Sequence, residues 1–156
     1  MIMVIQIPPE TLQHIQRHFA GNPGCGSKFF SDNPIAFITQ AVCHFPSEFQ
    51  QAKVEADGRK KISLVFEEAI GTCNVVSLSD LTKEELGTLT TEERDGFMVN
   101  KVDSHRTFPT RECQIILGDN NVLITIFPGP LAPPLAQEGE NRAYWDAHAF
   151  VLSTSK

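Results

Sequence analysis

The feature that most constrains the fold is the stretch Arg111–Phe127, in which two runs of alternating side chains flank a polar turn. Apolar residues recur at every second position on each side of that turn, namely Cys113, Ile115, Leu117 and then Val122, Ile124, Ile126. This period-two spacing predicts two antiparallel strands, the second of them ended by Pro128 because proline donates no ladder hydrogen bond. One face of the pair is wholly apolar, and the other carries Gln114 and Thr125 among apolar residues. Such a pair belongs inside a sheet that other elements cover.

Length and composition indicate a globular protein. The chain has 156 residues, of which 41% are hydrophobic and 21% charged, too apolar a composition for disorder. We therefore predict one domain over residues 1–156. Apolar runs stay well short of the ~18 residues that a membrane span needs, and the first seven residues lack the basic and apolar regions of a signal peptide. These features predict a cytoplasmic protein with no membrane partner.

Charge and cysteine spacing narrow the classes of function. The net charge of −6, from 13 basic and 19 acidic side chains, disfavours nucleic-acid binding over the whole surface. Cys25, Cys43, Cys73 and Cys113 are widely separated, without the C-x-x-C spacing of a zinc or redox centre. We therefore predict reduced thiols, no metal site and no cofactor.

Two helices are predicted before the first strands. Apolar spacing favours a short amphipathic helix over Glu10–Phe19. Asn33-Pro34 is typical of an N-cap and first helical position, and the helix that follows should stop near Pro46. Alternation on both sides of Asp57-Gly58 then predicts a hairpin, with a helix continued through Ser47–Ala56 as the alternative.

The remaining elements complete an α+β fold. They are strands over Cys73–Leu78 and Gly96–Val102, a weak helix over Leu81–Leu89 capped by Ser79 or Asp80, and a closing helix over Glu140–Phe150. We expect the strand Gly96–Val102 to lie beside the central hairpin. The predicted architecture is a mainly antiparallel sheet of five to six strands, with helices at the N-terminal side and one closing C-terminal helix.

Four segments of the second half carry a resemblance to a known family. They are Glu68–Gly71, Phe97–Arg106, the strand and proline-rich run VLITIFPGPLAPP (Val122–Pro134), and the ending YWDAHAFV (Tyr144–Val151). Over roughly residues 66 to 151, this pattern resembles a family of small prokaryotic proteins whose function is uncharacterised. That family carries more arginine where this chain has Asn100–Val102. The resemblance implies no activity, and it assigns no catalytic residue.

The most polar cluster lies between the strand Gly96–Val102 and the central hairpin. Its basic side chains are Lys101, His105, Arg106 and Arg111. Guanidinium and imidazole groups on such a connection suit a small anion or phosphate ester, so we predict a ligand site there. RNA cleavage through the 2′-hydroxyl needs a base, an acid and a cation, and the catalytic candidates are His105, Arg106 and Thr125. A solvated turn with ordinary surface charges is the alternative.

A second, weaker candidate is Cys25, in the glycine-rich loop Pro23–Ser27. A cysteine ahead of a helix can be a nucleophile, with His105 or His148 as its base. The sequence resembles a papain-like motif only at Cys-Gly-Ser, because Lys28 follows where that motif has cysteine. An incidental loop cysteine is therefore favoured.

Three hypotheses of function follow, and the sequence leaves open whether the protein is an enzyme. The leading one is a cytoplasmic domain that binds a small anionic or phosphate-containing ligand, or an RNA end, near Lys101–Arg111. The alternative is a non-catalytic interaction or homo-oligomerisation module, which requires an exposed apolar patch around Leu131, Leu135 and Trp145. The second alternative is a metal-independent ribonuclease, because the layout resembles the small barnase- and RelE-like architectures.

Overall fold

The computed structural model describes residues 4–21, 27–94, 96–104, 106–129 and 139–153. In these residues the helices are α1 (Pro9–Ile15), α2 (Pro34–His44), α3 (Pro46–Gln51), α4 (Lys83–Leu86) and α5 (Gly139–Asp146). The strands are β1 (Lys28–Phe29), β2 (Lys60–Val65), β3 (Gly71–Thr72), β4 (Val75–Ser77), β5 (Thr90–Arg94), β6 (Phe97–Ser104), β7 (Pro109–Thr110), β8 (Glu112–Leu117), β9 (Leu123–Pro128) and β10 (His148–Ser153). The predicted α+β class is confirmed. Within the described ranges, no helix has the length and apolar content to cross a membrane.

The contacts divide the chain into two compact units. Unit 1 comprises residues 1–72 and 109–130, and unit 2 comprises residues 73–108 and 131–156. The chain therefore leaves unit 1 after β3 and returns to it at β7. The prediction of one domain over residues 1–156 stays a prediction.

The central hairpin predicted from the sequence is confirmed in unit 1. β8 and β9 pair antiparallel with Ile115 opposite Ile126, and β2 pairs along the other edge of β8. The turn holds Asn120 and Asn121 at φ values of 58° and 59°, a left-handed conformation that asparagine adopts more readily than most residues. β9 ends at Pro128, as predicted.

The core of unit 1 joins this sheet to the N-terminal helices. Ile15 of α1, Ile38 of α2 and Phe49 of α3 are buried in one cluster with the inward side chains of β2, β8 and β9. The predicted cap of α2 is confirmed, because Asn33 Oδ1 accepts a hydrogen bond from Ala36 N at 3.1 Å. A small second sheet in the order β1-β3-β7 completes the unit.

Unit 2 is built on a four-stranded sheet in the order β4-β10-β6-β5. β10 runs parallel to β6 and antiparallel to β4, so Ala149 lies opposite both Asn100 and Val76. β5, with the sequence TTEER, forms one edge. Charged side chains on an edge strand discourage pairing with other chains.

The core of unit 2 is small. Phe97 and Val99 of β6 are buried against Trp145 of α5. The Trp145 ring stacks on Phe150, with centroids 5.2 Å apart and ring planes 14° from parallel. Asn100 ties α5 to the sheet, because its Nδ2 donates hydrogen bonds to backbone carbonyls at both ends of the α5–β10 turn.

The predicted arrangement of strands is wrong in two respects. The chain forms three sheets among its described residues rather than one sheet of five to six strands. β6 does not pair with the central hairpin, because it pairs with β5 and β10 whereas β8 pairs with β2 and β9. Closeness in the chain favoured β6 beside β8, but a strand distant in sequence takes that place in each sheet, β10 beside β6 and β2 beside β8.

Two predicted elements also differ from the structure. The closing helix ends at Asp146, and the residues after it form β10 instead of continuing as helix. The strand predicted before Asp57-Gly58 is absent, because α3 runs to Gln51 and Ala52–Ala56 has no regular structure. The second strand of that prediction is present as β2, whose partner is β8 rather than a hairpin neighbour.

Candidate functional site

The polar site of unit 2 is organised around Glu85, which a helix cap places at the start of α4. Thr82 Oγ1 accepts a hydrogen bond from Glu85 N at 3.1 Å, and Glu85 Oε1 accepts one from Thr82 N at 2.9 Å. This reciprocal pair is a capping box, produced by the Thr-x-x-Glu spacing. The caps predicted at Ser79 and Asp80 are therefore wrong.

Arg106, one of the predicted ligand-binding residues, is bound to this carboxylate. Its Nε donates to Glu85 Oε2 at 2.8 Å, and its Nη2 donates to Glu85 Oε1 at 2.8 Å. Nη2 also donates to the carbonyl oxygen of Asp80 at 2.8 Å. The guanidinium carbon lies 4.2 Å from the centroid of the Phe108 ring. A bidentate ion pair stacked on an aromatic ring fixes the arginine in one orientation.

Two hydroxyl groups complete the network around Glu85. Ser104, which is buried, donates from Oγ to Glu85 Oε2 at 2.5 Å and accepts from Arg106 N at 3.2 Å. Thr88 Oγ1 donates to the carbonyl oxygen of Glu85 at 2.7 Å and accepts from Asp103 N at 2.9 Å. The network therefore joins α4 to the end of β6.

The hydrogen bonds shift the acidity of both charged partners. The pKa of Glu85 lies well below its ordinary value, chiefly because Arg106 donates to the carboxylate, with further hydrogen bonds from Ser104 and from the backbone of Thr82. The pKa of Arg106 is raised, mainly because its hydrogen bonds to Glu85 require the charged guanidinium. Both groups are ionised at neutral pH.

A pocket of about 400 Å³ opens beside this network. The charged groups in its described lining are the carboxylates of Glu84, Glu85 and Asp103 and the guanidinium of Arg106. Their sum at neutral pH is 1 − 3 = −2. This local charge favours a cationic or neutral polar ligand over a phosphate group.

Lys101, a second predicted ligand-binding residue, also faces a carboxylate. Lys101 Nζ lies 3.9 Å from Glu92 Oε1 on the adjacent strand β5. Arg94 Nε donates to the other oxygen, Oε2, at 3.0 Å. The pKa of Glu92 is lowered, first by the Arg94 hydrogen bond and then by the charges of Arg94 and Lys101.

The other predicted site residues lie elsewhere in the chain. Arg111 is exposed in unit 1 between β7 and β8, and its side chain makes no ion pair with a described residue. Thr125 is half-buried on β9, also in unit 1, opposite Ile116. His105 lies outside the described residues, as do Leu131 and Leu135 of the predicted apolar patch. The ligand site over Lys101–Arg111 stays a prediction.

The thiols and imidazoles do not gather into a metal centre in the described part of the chain. Cys43 is exposed, Cys73 is half-buried and Cys113 is buried. Burial raises the pKa of the Cys113 thiol far above its ordinary value. Cys25, the candidate nucleophile, lies outside the described residues.

His148 and Trp145 have packing roles in unit 2. The His148 ring stacks on the Tyr144 ring with centroids 3.8 Å apart, and its Nδ1 lies 2.7 Å from the Tyr144 carbonyl oxygen. Trp145 is 5% exposed and therefore contributes little to any surface patch.

The carboxylates that hold the predicted basic residues were not identified from the sequence. The side chains of Glu85, Glu92 and Ser104 form the hydrogen bonds that organise the polar sites of unit 2. For Glu85 a signal was present, because Thr82 stands three residues before it in capping-box spacing. The position of Glu92 depends on the pairing of β5 with β6, which the sequence pattern did not predict. No family model, no curated protein and no solved structure matches this chain significantly.

Proposed function

We propose that this protein is a non-catalytic cytoplasmic binding module. The observation that carries the proposal is the bidentate ion pair between Arg106 and Glu85. A phosphate-binding or ribonuclease site over Lys101–Arg111 needs a cation whose charge is available to the phosphate. The charge of Arg106 is already balanced by a carboxylate, and that of Lys101 is partly balanced by Glu92.

The network around Arg106 supports a structural role for these side chains. Glu85 accepts hydrogen bonds from Arg106, Ser104 and Thr82, so its carboxylate oxygens are fully occupied. Thr88 and Ser104 each donate and accept within the same network. A polar network that is satisfied internally stabilises one conformation of its surroundings. We assign it to holding α4 against β6.

Three further points belong to the proposal. The resemblance of the second half to an uncharacterised prokaryotic family assigns no catalytic residue and is compatible with a binding module. Free thiols at Cys43 and Cys113 suit a reducing compartment. The partner of such a module can be a second copy of the same chain, which would make the protein a homo-oligomer.

A second candidate function keeps the ligand at Arg106. The side chain is 47% exposed, and its Nη1 atom has no hydrogen-bond partner among the described residues. Two N–H donors are therefore available to a small anion at the mouth of the pocket. The carboxylates of Glu84 and Asp103 in the same lining oppose such binding.

Titration of the ¹⁵N-labelled protein with inorganic phosphate and with a short single-stranded RNA distinguishes these functions. For a non-catalytic module that does not take anions here, we expect no saturable shifts at the amides of β6 and α4, and no RNA degradation above buffer. The comparison proteins are Arg106→Gln and Arg111→Gln. Saturable phosphate shifts in the wild type that Arg106→Gln removes and Arg111→Gln retains would establish the second candidate instead.

A further inference from the structure

Unit 1 contains a groove of about 530 Å³ beside the C-terminal end of α2. Its apolar lining includes Phe45, Val65, Phe66 and Ile70. Val65 lies on the outward face of β2 and is 55% exposed. The volume lies within the range of roughly 300–1,000 Å³ that is typical of small-molecule sites.

Two aromatic rings form rigid walls of this groove. Phe45 and Phe66 meet edge to face with centroids 4.9 Å apart. Both rings are half-buried and pack against the buried core of unit 1. The centroid of the Phe66 ring also lies 5.8 Å from that of Phe37. Their positions are therefore set by the core rather than by a ligand. The faces of such rings carry negative electrostatic potential and attract cations.

Two carboxylates stand at the rim on a short, anchored loop. Glu67 and Glu68 follow Phe66, and both are exposed. The loop is held at its two ends, because Phe66 N donates to the Arg111 carbonyl oxygen at 2.9 Å and Ile70 N donates to the Thr110 carbonyl oxygen at 2.8 Å. Neither carboxylate makes an ion pair with a described residue. Their charge is available to a ligand.

The helix ends beside the groove contribute little net charge. α2 ends at His44, which lines the groove, and α3 begins at Pro46 directly after Phe45. The partial negative charge at the end of α2 and the partial positive charge at the start of α3 therefore oppose each other. The charge preference of the groove comes from the two carboxylates and the aromatic rings, which favour a positive charge, while the apolar lining favours a hydrocarbon stem.

We propose that this groove binds a small organic amine, with an ammonium group on an aromatic or aliphatic stem. The ammonium lies toward Glu67 and Glu68, and the stem lies against Phe45 and Phe66. This inference rests on the proposed binding function and names the ligand class of that function. An anion is disfavoured by the same charges, and a neutral analogue loses the attraction of the two carboxylates.

Benzylamine is the probe, with benzyl alcohol and benzoate as neutral and anionic analogues of nearly the same shape. The three compounds are titrated into the ¹⁵N-labelled full chain at neutral pH and followed by amide shifts. We expect saturable shifts with benzylamine at the amides of Phe45 and of residues 66–70, weaker binding of benzyl alcohol and none of benzoate. Equal binding of benzylamine and benzyl alcohol, or no saturable shift with either, overturns the inference.

A pair of double variants tests the role of the rim carboxylates. Glu67→Gln/Glu68→Gln should weaken benzylamine binding about five- to tenfold, as expected for the loss of two solvent-exposed charge interactions. Glu10→Gln/Asp119→Asn removes the same net charge from exposed positions outside the groove lining, and Asp119 follows the end of β8 that is opposite to the end paired with Val65, so binding should be unchanged. Equal weakening by both variants would mean a general charge effect and would overturn the site. Failure of the amine to bind leaves the proposed function standing, whereas specific phosphate binding at Arg106 contradicts that function and does not depend on the groove.

Discussion

At the scale of single residues, Glu85 makes the stability of unit 2 dependent on pH. Its pKa is held below the ordinary value of 4.5, first by the hydrogen bond from Arg106. A carboxylate with a lowered pKa in the folded state stabilises that state at pH values above its unfolded pKa. The contribution is lost as the pH falls through the folded pKa, which lies below the ordinary carboxyl range.

We therefore predict that Glu85→Gln lowers the melting temperature at pH 7, and that its difference from wild type shrinks as the pH falls below about 4. Glu84→Gln is the matched control, because Glu84 is the preceding residue of α4 and is exposed. It should change the melting temperature little at any pH. Thermal unfolding followed by circular dichroism between pH 2 and 7 measures both variants. If the difference in melting temperature between Glu85→Gln and wild type stays constant over that range, the destabilisation comes from altered packing and not from the lost charge.

The thiols should differ strongly in reactivity. Cys113 is buried in the core and its pKa is raised by burial, so almost no thiolate forms at neutral pH. Cys43 is exposed on α2. Iodoacetamide under native conditions should label Cys43 within minutes, whereas Cys113 should be labelled only after denaturation. Peptide mass spectrometry measures both sites in one sample, and native labelling of Cys113 at the rate of Cys43 would contradict the buried position.

The sequence identified the polar residues of unit 2 better than it identified their partners. Lys101 and Arg106 stand out by charge in an acidic chain. Arg106 binds a carboxylate 21 positions away, and that distance is bridged by tertiary structure that local spacing does not encode. The same charge pattern therefore fits both an anion site and an internal ion pair.

At the scale of elements, the small sheet of unit 1 depends on Gly71. A Cβ atom at this position would overlap the carbonyl oxygen of Lys28 and lie 2.9 Å from the Cα of Phe29. Both atoms belong to the backbone of β1, so β1 and β3 would have to separate. Glycine is required here for close approach of two strands rather than for a left-handed conformation.

Gly71→Ala should therefore destabilise the protein by about 1–3 kcal/mol, as expected for overpacking against backbone atoms. Gly87→Ala is the control, since Gly87 has a helical φ of −64° and a Cβ there would contact only carbonyl oxygens of its own turn, at 3.3 Å and 3.5 Å. That variant should be neutral or slightly stabilising. Urea denaturation curves give both changes, and equal stabilities for the two variants would contradict the strand contact.

In the C-terminal segment, strand pairing overrides the helical spacing of the local sequence. Tyr144, Ala147 and Val151 have helical spacing, which favoured one helix over the whole segment. In the structure the backbone of β10 pairs with β6 on one side and β4 on the other. Pairing on both edges satisfies the backbone of β10 and buries Ala149 completely, so tertiary context decides the element. The central hairpin could be predicted because its turn and alternation are both local.

At the scale of the whole molecule, the two units differ in how they depend on the path of the chain. Unit 2 consists of segments 73–108 and 131–156, and the residues between them belong to unit 1. Its sheet requires both segments, because β10 of the second lies between β4 and β6 of the first. If unit 1 unfolds, the intervening residues become a free loop whose closure costs conformational entropy.

Unit 1 depends less on unit 2. Its core cluster holds thirteen buried residues in the described part of the chain, compared with three in the cluster of unit 2. The chain leaves and re-enters it at β3 and β7, which are paired, with Thr72 opposite Pro109. Unit 1 also consists of two segments, and unfolding of unit 2 would turn residues 73–108 between them into a loop. The pairing of β3 with β7 lies within unit 1 and holds the two ends of that loop together. We therefore expect an asymmetric response to damage in the two cores.

Hydrogen exchange read by mass spectrometry tests this asymmetry with one variant in each core. Leu64→Ala opens a cavity in unit 1 and should cost about 2–5 kcal/mol, and Phe97→Ala in unit 2 should cost about 3–5 kcal/mol. Leu64→Ala should speed exchange in peptides from both units, because unit 2 loses the constraint on its two segments. Phe97→Ala should speed exchange in unit 2 while the amides of β8 and β9 keep their protection. A chain that unfolds as one domain would instead show equal loss of protection in both units with either variant, since every opening would then be global.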